Sequence, residues 1–504
     1  MAGALALAIT LASVGGAGAQ DEDVTGDTPT VDETNAARIA RLERRLAELE
    51  AREAERAAQS APPAAQTAPV ELEPPPPPSA PEQVEPETEE TEEEAPAPAP
   101  PPAPAAPFSW GDFTWMNGQS RQHSSPLALT SFMTLSVYLD AYYLFSFNQP
   151  IDDTLTGTGT TSRHNEIQMN LVSLGVDILY EHMIGRFSFQ YGGWLDIVQD
   201  LDGTVDRGRS LSTSSLRYIR EATLGAHIDE LEGINIEAGI FMSYIGLESY
   251  LVGENWNYAR SIVCEHTPFY FQGVRAQIFF HNVKIEPWLM NGWQTYGHWN
   301  FEPSGGLAIR WQPWEELAII ANFYVGTDTR GQPGRVRAHH DHSVVLRYFN
   351  DPRGALNRLA WSINTHLGFE AGGDGLPGPD QAHMIGFAFA HRASFAGDLF
   401  HIAVRIEAMS NPTAYLAQYA PPGFPTGAGA KLDIWGFTAT LDLTPRDIMS
   451  IRAEFVYRAS NAPYFAGPGG TTSPDGFRDT PLGTWVPDTR FDQVTLSLSA
   501  NFRL

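Results

Sequence analysis

From Gln493 to Leu504 the chain alternates between two chemistries almost without fault. Val494, Leu496, Leu498, Ala500, Phe502 and Leu504 fall on one side, and Gln493, Thr495, Ser497, Ser499, Asn501 and Arg503 on the other. Period two means a strand with one oily face and one wholly polar face. In a soluble sandwich the oily face would meet a second sheet and the polar face bulk water. In a barrel that spans an outer membrane the oily face meets lipid, and the polar face lines a water-filled lumen. The rest of the sequence decides between the two.

The same scheme recurs upstream. Met133, Leu135, Val137, Leu139, Ala141, Tyr143 and Phe145 oppose Thr134, Ser136, Tyr138, Asp140 and Tyr142. Phe400, Ile402, Val404 and Ile406 oppose His401, Arg405 and Glu407, and Ile451, Ala453, Phe455 and Tyr457 oppose Arg452, Glu454 and Arg458. The links between strands alternate in length. Short ones at His281–Asn282, Pro313–Glu316, Ala396–Asp398 and Thr444–Asp447 interleave with long ones at Ser146–His164, Ile245–His266, Gly326–His340, Asn411–Ala430 and Ser460–Asp488. A sandwich predicts no such asymmetry, whereas a transmembrane barrel does. The expected fold is therefore all-β: a transmembrane antiparallel β-barrel of about 16 strands over residues 131–504. An even count returns both ends to the periplasmic side.

No stretch offers about 18 consecutive apolar residues, so no helix candidate crosses a membrane. The small, apolar start ending at Ala17-Gly18-Ala19 reads as a signal peptide over residues 1–19, although it lacks the usual positive n-region. Residues 20–34 read as a disordered start. Over 35–59, Ile39, Leu42, Leu46 and Leu49 form a short coiled-coil seam. So short a helix is marginal alone, and a trimer of such chains would support it; a solitary solvated helix is the alternative. Residues 60–107 hold Pro74–Pro78 and the acidic run Glu85–Glu94, a Pro/Glu-rich linker reaching on the order of 140 Å. Such a linker would let the coiled coil reach the cell wall, or serve as a simple spacer and nothing more. A lead-in segment, 108–130, precedes the barrel.

The formal net charge is -28, and roughly half of it falls before Pro107, an acidic tail rather than an acidic fold. That balance disfavours nucleic acid as a partner. The basic residues are nearly all arginine, Lys284 and Lys431 being the two lysines. The lone Cys264 excludes an intramolecular disulfide framework and reads as an incidental loop thiol.

The segment Gly239–Gln277 carries more than alternation. Gly239, Phe241, Ile245, Gly246, Glu248, Asn255, Trp256, Tyr258, Arg260, Ser261, Pro268, Phe269, Gly273 and Arg275 stand in a pattern that resembles the OmpL-like beta-barrel outer-membrane porin family. Further matches are Asp140-Ala141-Tyr142-Tyr143, Glu221-Ala222 and Asn291-Gly292-Trp293, with Ala259 standing where the family usually has Ser. The resemblance implies a porin of the outer membrane of a Gram-negative bacterium, in contact with lipid and small hydrophilic solutes, with no catalytic residues and no cofactor to carry over.

By strand parity the charged candidates for the pore lining are Asp140, Arg217, Glu221, Glu237, Arg275, Lys284, Glu286, Arg347, Arg405, Glu407, Arg452 and Glu454. Lumen charges set the local potential that selects ions, but opposite charges on neighbouring strands also simply pair. Both signs occur, so parity gives no selectivity. The long loop Gly246–His266 contains Glu248, Glu254, Trp256, Tyr258 and Arg260, aromatic and arginine content unusual for a solvated loop. It is the candidate constriction, with a structural latch between subunits as the alternative. His339-His340-Asp341-His342 has metal-ligand residue types, yet adjacent residues on one loop rarely close a first shell, so a solvated loop and no metal site are expected. Two other functions stay open at this level. One is an outer-membrane enzyme with a Ser/His/Asp-type rim site; the other is a tether that uses the barrel as an anchor.

Overall fold

The computed structural model describes residues 127–504 apart from 131, 200–201, 203–212, 428 and 447. The signal-like start, the coiled-coil seam, the Pro/Glu-rich linker and most of the lead-in lie outside the described residues.

Sixteen strands form the wall. They are β1 Met133–Ser146, β2 Ile167–Tyr180, β3 Met183–Tyr191, β4 Ile219–Ile228, β5 Ile234–Met242, β6 Tyr270–Phe280, β7 Val283–Met290 and β8 Ser304–Trp314. The second half comprises β9 Leu317–Gly326, β10 Val336–Asn350, β11 Leu356–Ala371, β12 His383–Phe395, β13 Phe400–Asn411, β14 Leu432–Arg446, β15 Met449–Ser460 and β16 Asp492–Arg503. Each pairs antiparallel with its sequence neighbour. β16 returns to pair with β1, Asn501 opposite Asp140 and Phe502 opposite Leu139, so the sheet closes and no edge is left. A three-residue strand, Ala128–Thr130, also pairs with β1.

The links keep strict short/long alternation. Turns at 181–182, 229–233, 281–282, 315–316, 351–355, 396–399 and 447–448 mark one end of the barrel; the longer connections all lie at the other.

Burial is inside out, and that settles the choice the alternation left open. On β16, Leu496 and Leu498 are 46% and 59% exposed, while Ser497 and Ser499 are 8% and 5%. Ile402, Val404 and Ile406 on β13 are exposed, and Arg405 and Glu407 on the alternate positions of the same strand are buried. A water-soluble fold would put these isoleucines inside. Outward aromatics gather near both rims. Tyr180, Phe280, Trp314 and Tyr348 stand by the short turns. Tyr191 stacks on Tyr218 at 5.1 Å, and Trp435 meets Tyr457 at 5.1 Å, by the long loops. Two aromatic girdles around an apolar band are what a membrane-spanning barrel presents to lipid.

One expectation is corrected here. His339-His340-Asp341-His342 is not a loop: β10 begins at Val336, so the link after β9 is only 327–335. The strand pairs without interruption on both sides, which overrides the polar look of the sequence. His339 and Asp341 are buried toward the lumen, and His342 is exposed on the outer face. Among the described residues no group of three or more His, Cys, Asp or Glu is placed to hold a metal ion.

Candidate channel and its inward segment

The connection 243–269 between β5 and β6 does not lie over the barrel mouth. It descends into the lumen and crosses it, and side chains of the wall hold it by its backbone. Glu454 on β15 accepts the N–H groups of Tyr258 at 2.6 Å and Ala259 at 2.8 Å. Glu407 on β13 accepts from Ile262 N at 2.8 Å, and Asp341 on β10 from Gly246 N at 2.8 Å. Arg452 donates to the carbonyls of Val252 at 3.1 Å and Gly253 at 2.9 Å, and Arg458 to that of Arg260 at 2.6 Å. Irregular backbone at membrane depth needs such partners, because no lipid and little water can satisfy it.

Side chains of the segment reach the wall as well. Tyr258 Oη donates to Asp140 on β1 at 3.1 Å, and Tyr250 Oη to Gln190 on β3 at 2.6 Å. Asn257 donates to Thr440 on β14 at 2.7 Å. Trp256 packs on Val345, Ala360, Ala390 and Ala403, small residues that leave room for an indole. The one-turn helix Ile262–Glu265 is capped by Ser261 and packs on Met384, Met409 and Ile434. All these contacts lie within the chain's own barrel, so the segment is buried inside it.

The other candidates of the segment are ordered too. Glu248 takes the Arg405 guanidinium at 2.8 Å and Ser261 N at 2.5 Å, and Glu254 accepts from Ser249 Oγ at 2.7 Å. Arg260 lies over the Phe269 ring at 4.3 Å. Burial pushes the Cys264 thiol up to about 12, so it is an unreactive core group, with its Sγ 3.4 Å from Asn364 Oδ1. Burial also pulls His266 down to about 4, against the hydrogen bond to the Ile262 carbonyl.

Eleven of the parity candidates sit on strands and face inward, and most are paired. Asp140 is fully buried and accepts from Asn170 at 2.7 Å and from Asn501. Glu221 meets Arg186 at 3.3 Å and Arg220 at 3.2 Å, Glu237 meets Arg275 at 2.8 Å, and Lys284 meets Glu286 at 2.8 Å. Arg347 reaches Glu315 in a short turn at 2.6 Å. Arg405, Glu407 and Arg458 form one chain at 3.2 and 3.0 Å. Arg217 is the exception: it precedes β4 and pairs with Asp196 in the preceding connection at 2.5 Å, so strand parity does not apply to it.

Several lumen-facing groups escaped the parity reading. Asp177 pairs with Arg186 at 2.5 Å, and Asp442 takes Arg392 at 3.2 Å and Arg452 at 3.3 Å. Arg335 and Arg337 both bind Glu370. A different omission is an aromatic cluster inside the barrel: Phe241, Phe271, Trp288 and Tyr324, joined by Tyr244 and Trp293. Arg275 lies 4.7 Å over Phe241 and 5.3 Å over Trp288. Charge-bearing residues can be found by parity; apolar residues on the inward face look like lapses in the alternation.

In overall backbone the barrel is similar to solved outer-membrane proteins at low identity. In-vitro folded OmpT of Vibrio cholerae matches at 10% identity and a TM-score of 0.42, covering 75% of this chain and 100% of that one. An anion-selective porin from Comamonas acidovorans matches at 8% identity and 0.41, covering 74% and 99%. The outer membrane channel DcaP of Acinetobacter baumannii matches at 12% and 0.40, covering 74% and 97%. No curated protein matches the chain in sequence. A family model does match, over residues 133–504, which takes in all sixteen wall strands and the inward segment. The chain belongs to the family described as "Putative beta-barrel porin-2, OmpL-like".

Proposed function

We propose that this outer-membrane porin passes small hydrophilic solutes passively, along a path that segment 243–269 narrows. The observation that carries the reading is the grip of the wall on the segment's backbone: Glu454, Glu407, Asp341, Arg452 and Arg458 hold it across the lumen from three strands by seven hydrogen bonds. A loop fixed in this way sets a size limit without moving. Nine of the twelve parity candidates act in two ways under this reading. Glu407, Arg452, Glu454 and Arg405 fasten the segment, while Glu221, Glu237, Arg275, Lys284 and Glu286 form ion pairs along the wall of β4–β7.

The short-turn end faces the periplasm in this assignment, with residues 1–126 on the same side, and long connections face outward as in other barrels of this kind. In the same reading the protein is a homotrimer whose N-terminal coiled coil contacts the cell wall. Planar-bilayer recording on the purified protein tests the channel. Discrete ohmic steps are expected, and silence across voltage and salt would leave a plugged anchor or a barrel-borne enzyme.

A further inference from the structure

The inward segment does not cover the lumen evenly. On the far wall its contacts reach close to the short-turn end: Arg452 lies three residues beyond the start of β15 and holds Val252 and Gly253. On the near wall its contact with β3 is Gln190, at the opposite, long-loop end of that strand. Among the described residues, the segment's contacts therefore leave the short-turn half of the wall β2–β6 uncovered.

Exposure follows that tilt. Near the short turns on the far wall, Arg347, His401, Asp442, Ser450 and Arg452 are all buried, none above 6%. On the near wall the side chains of Asp177 and Arg186 are 46% and 39% exposed, although the two pair at 2.5 Å. His227, Asn235, Arg275 and Gln277 beside them are half-buried. Both Asp177 and Arg186 face inward: Arg186 continues the parity of Ser188 and Gln190, and Asp177 is its register partner. Water that enters from the short-turn end thus meets one wall, and the charges it meets first belong to this pair.

We infer that permeating ions follow an eccentric path along β2–β6, and that Asp177 and Arg186 set the charge selectivity of that path. This rests on the channel reading above and goes beyond it by naming which of many lumen charges ions sense. A charge buried under the segment is kept from the path by the protein around it, whereas the half-hydrated carboxylate and guanidinium of this pair touch the water that ions pass through, so removal of either one unbalances the field sensed within a Debye length. Arg186 also lies 3.3 Å from Glu221, so its removal uncovers the Asp177 carboxylate outright, whereas removal of Asp177 leaves Arg186 with one counter-charge in place of two.

The test is the reversal potential of the full-length protein in a planar bilayer under a potassium chloride gradient. Asp177→Asn should move the cation-to-anion permeability ratio toward anions, and Arg186→Gln toward cations, each by about twofold or more. Arg347→Gln, a neutralisation at a buried far-wall position, should leave the ratio at the wild-type value. Equal ratios for the two near-wall variants, or as large a shift from Arg347→Gln, overturn the inference while the channel reading stands. A wild-type protein that conducts nothing overturns the channel reading and this inference with it. A second readout needs no current. In folded protein, Asp177→Cys should react readily with a membrane-impermeant thiol reagent and Asp442→Cys should not, against the buried native Cys264. Failure of Asp177→Cys to react shows that water does not follow this wall.

Discussion

Glu454 and Tyr258 are 196 residues apart in sequence, yet the carboxylate of the first accepts the backbone N–H of the second at 2.6 Å, deep inside the barrel. The second oxygen of Glu454 takes Ala259 N at 2.8 Å, so one wall residue satisfies two successive peptide donors that no strand could reach. Hydrogen bonds to a charged acceptor contribute roughly 1.5–3 kcal/mol each when they are well made. Glu454→Gln keeps the volume but offers one carbonyl oxygen and an amide that repels a donor. It should loosen the segment: noisier, larger single-channel currents, together with a lower temperature for loss of the folded, compact band on gels. Currents identical to wild type in size and noise would remove Glu454 from the machinery that fixes the segment.

Deletion of Leu251–Ser261 removes the part of the segment held by Arg452, Glu454 and Arg458. Single-channel conductance should rise several-fold, as expected when a constriction is cleared. The strands do not depend on these residues for pairing, so the barrel should still assemble. An assembled barrel with unaltered conductance would show that the path never ran past this stretch.

The outer face can be tested separately from the lumen. Leu498 stands exposed in the middle of β16, where only lipid can cover it. Leu498→Arg should cost about 2–4 kcal/mol of folding stability near the bilayer midplane. Ser499→Ala, one residue on and facing inward, should change it by less than about 1 kcal/mol. Denaturant titration of folding into vesicles measures both. Equal effects from the two variants would contradict the inside-out assignment.

How much of this could be read in advance depended on what each residue does with its neighbours. The strand ending at Arg503 was legible because every side chain there serves one face, lipid or lumen, and period two records it. The inward segment was legible as an oddity, a long loop rich in Trp, Tyr and Arg. Its anchors were not, since Glu454 and Glu407 look like any other lumen carboxylates until the register brings them under Tyr258 and Ile262. His339–His342 misled because four polar residues in a row resemble a loop; their alternation between lumen and outer face appears only once β9 and β11 are in place. Phe241, Phe271, Trp288 and Tyr324 break the polar rule for the lumen because there the lumen is filled by side chains instead of water.

His266 gives the segment a pH dependence. Its ring is fully buried, with Nδ1 2.7 Å from the Ile262 carbonyl, and burial holds it down at about 4 against 6.5 in an unfolded chain. Arg458 adds to that lowering and Glu407 opposes it. Above pH 6.5 both states carry a neutral ring, and the packing keeps its full contribution. As pH falls below 6.5 the unfolded ring takes a proton that the folded ring refuses. Stability is then lost progressively down to about pH 4, by on the order of 3 kcal/mol in all. Thermal midpoints at pH 7 and 4.5 should therefore differ by more in the wild type than in His266→Gln. Identical differences would mean that the ring meets solvent before the barrel opens.

Gly239 carries the last expectation, and it joins the sequence pattern to the wall. It heads the stretch that resembles the family, and it lies opposite Thr223 in the β4–β5 pair. Its φ is +144°, and a Cβ built there would sit 1.9 Å from the Ala222 carbonyl oxygen. Neither constraint yields to a side-chain movement: the first belongs to the backbone itself, and the second meets the backbone of the next strand. Gly239→Ala must therefore part β4 from β5 or twist the strand out of register, at about 3 kcal/mol or more. Because β5 feeds directly into the inward segment, the damage should show in two readouts at once, a smaller yield of folded barrel and unstable current steps in what does fold. Gly334→Ala, with no heavy atom within 4 Å of the added carbon, should match the wild type in both. A Gly239→Ala barrel that folds in normal yield and conducts steadily would show that β4 and β5 do not approach each other as closely as this register requires.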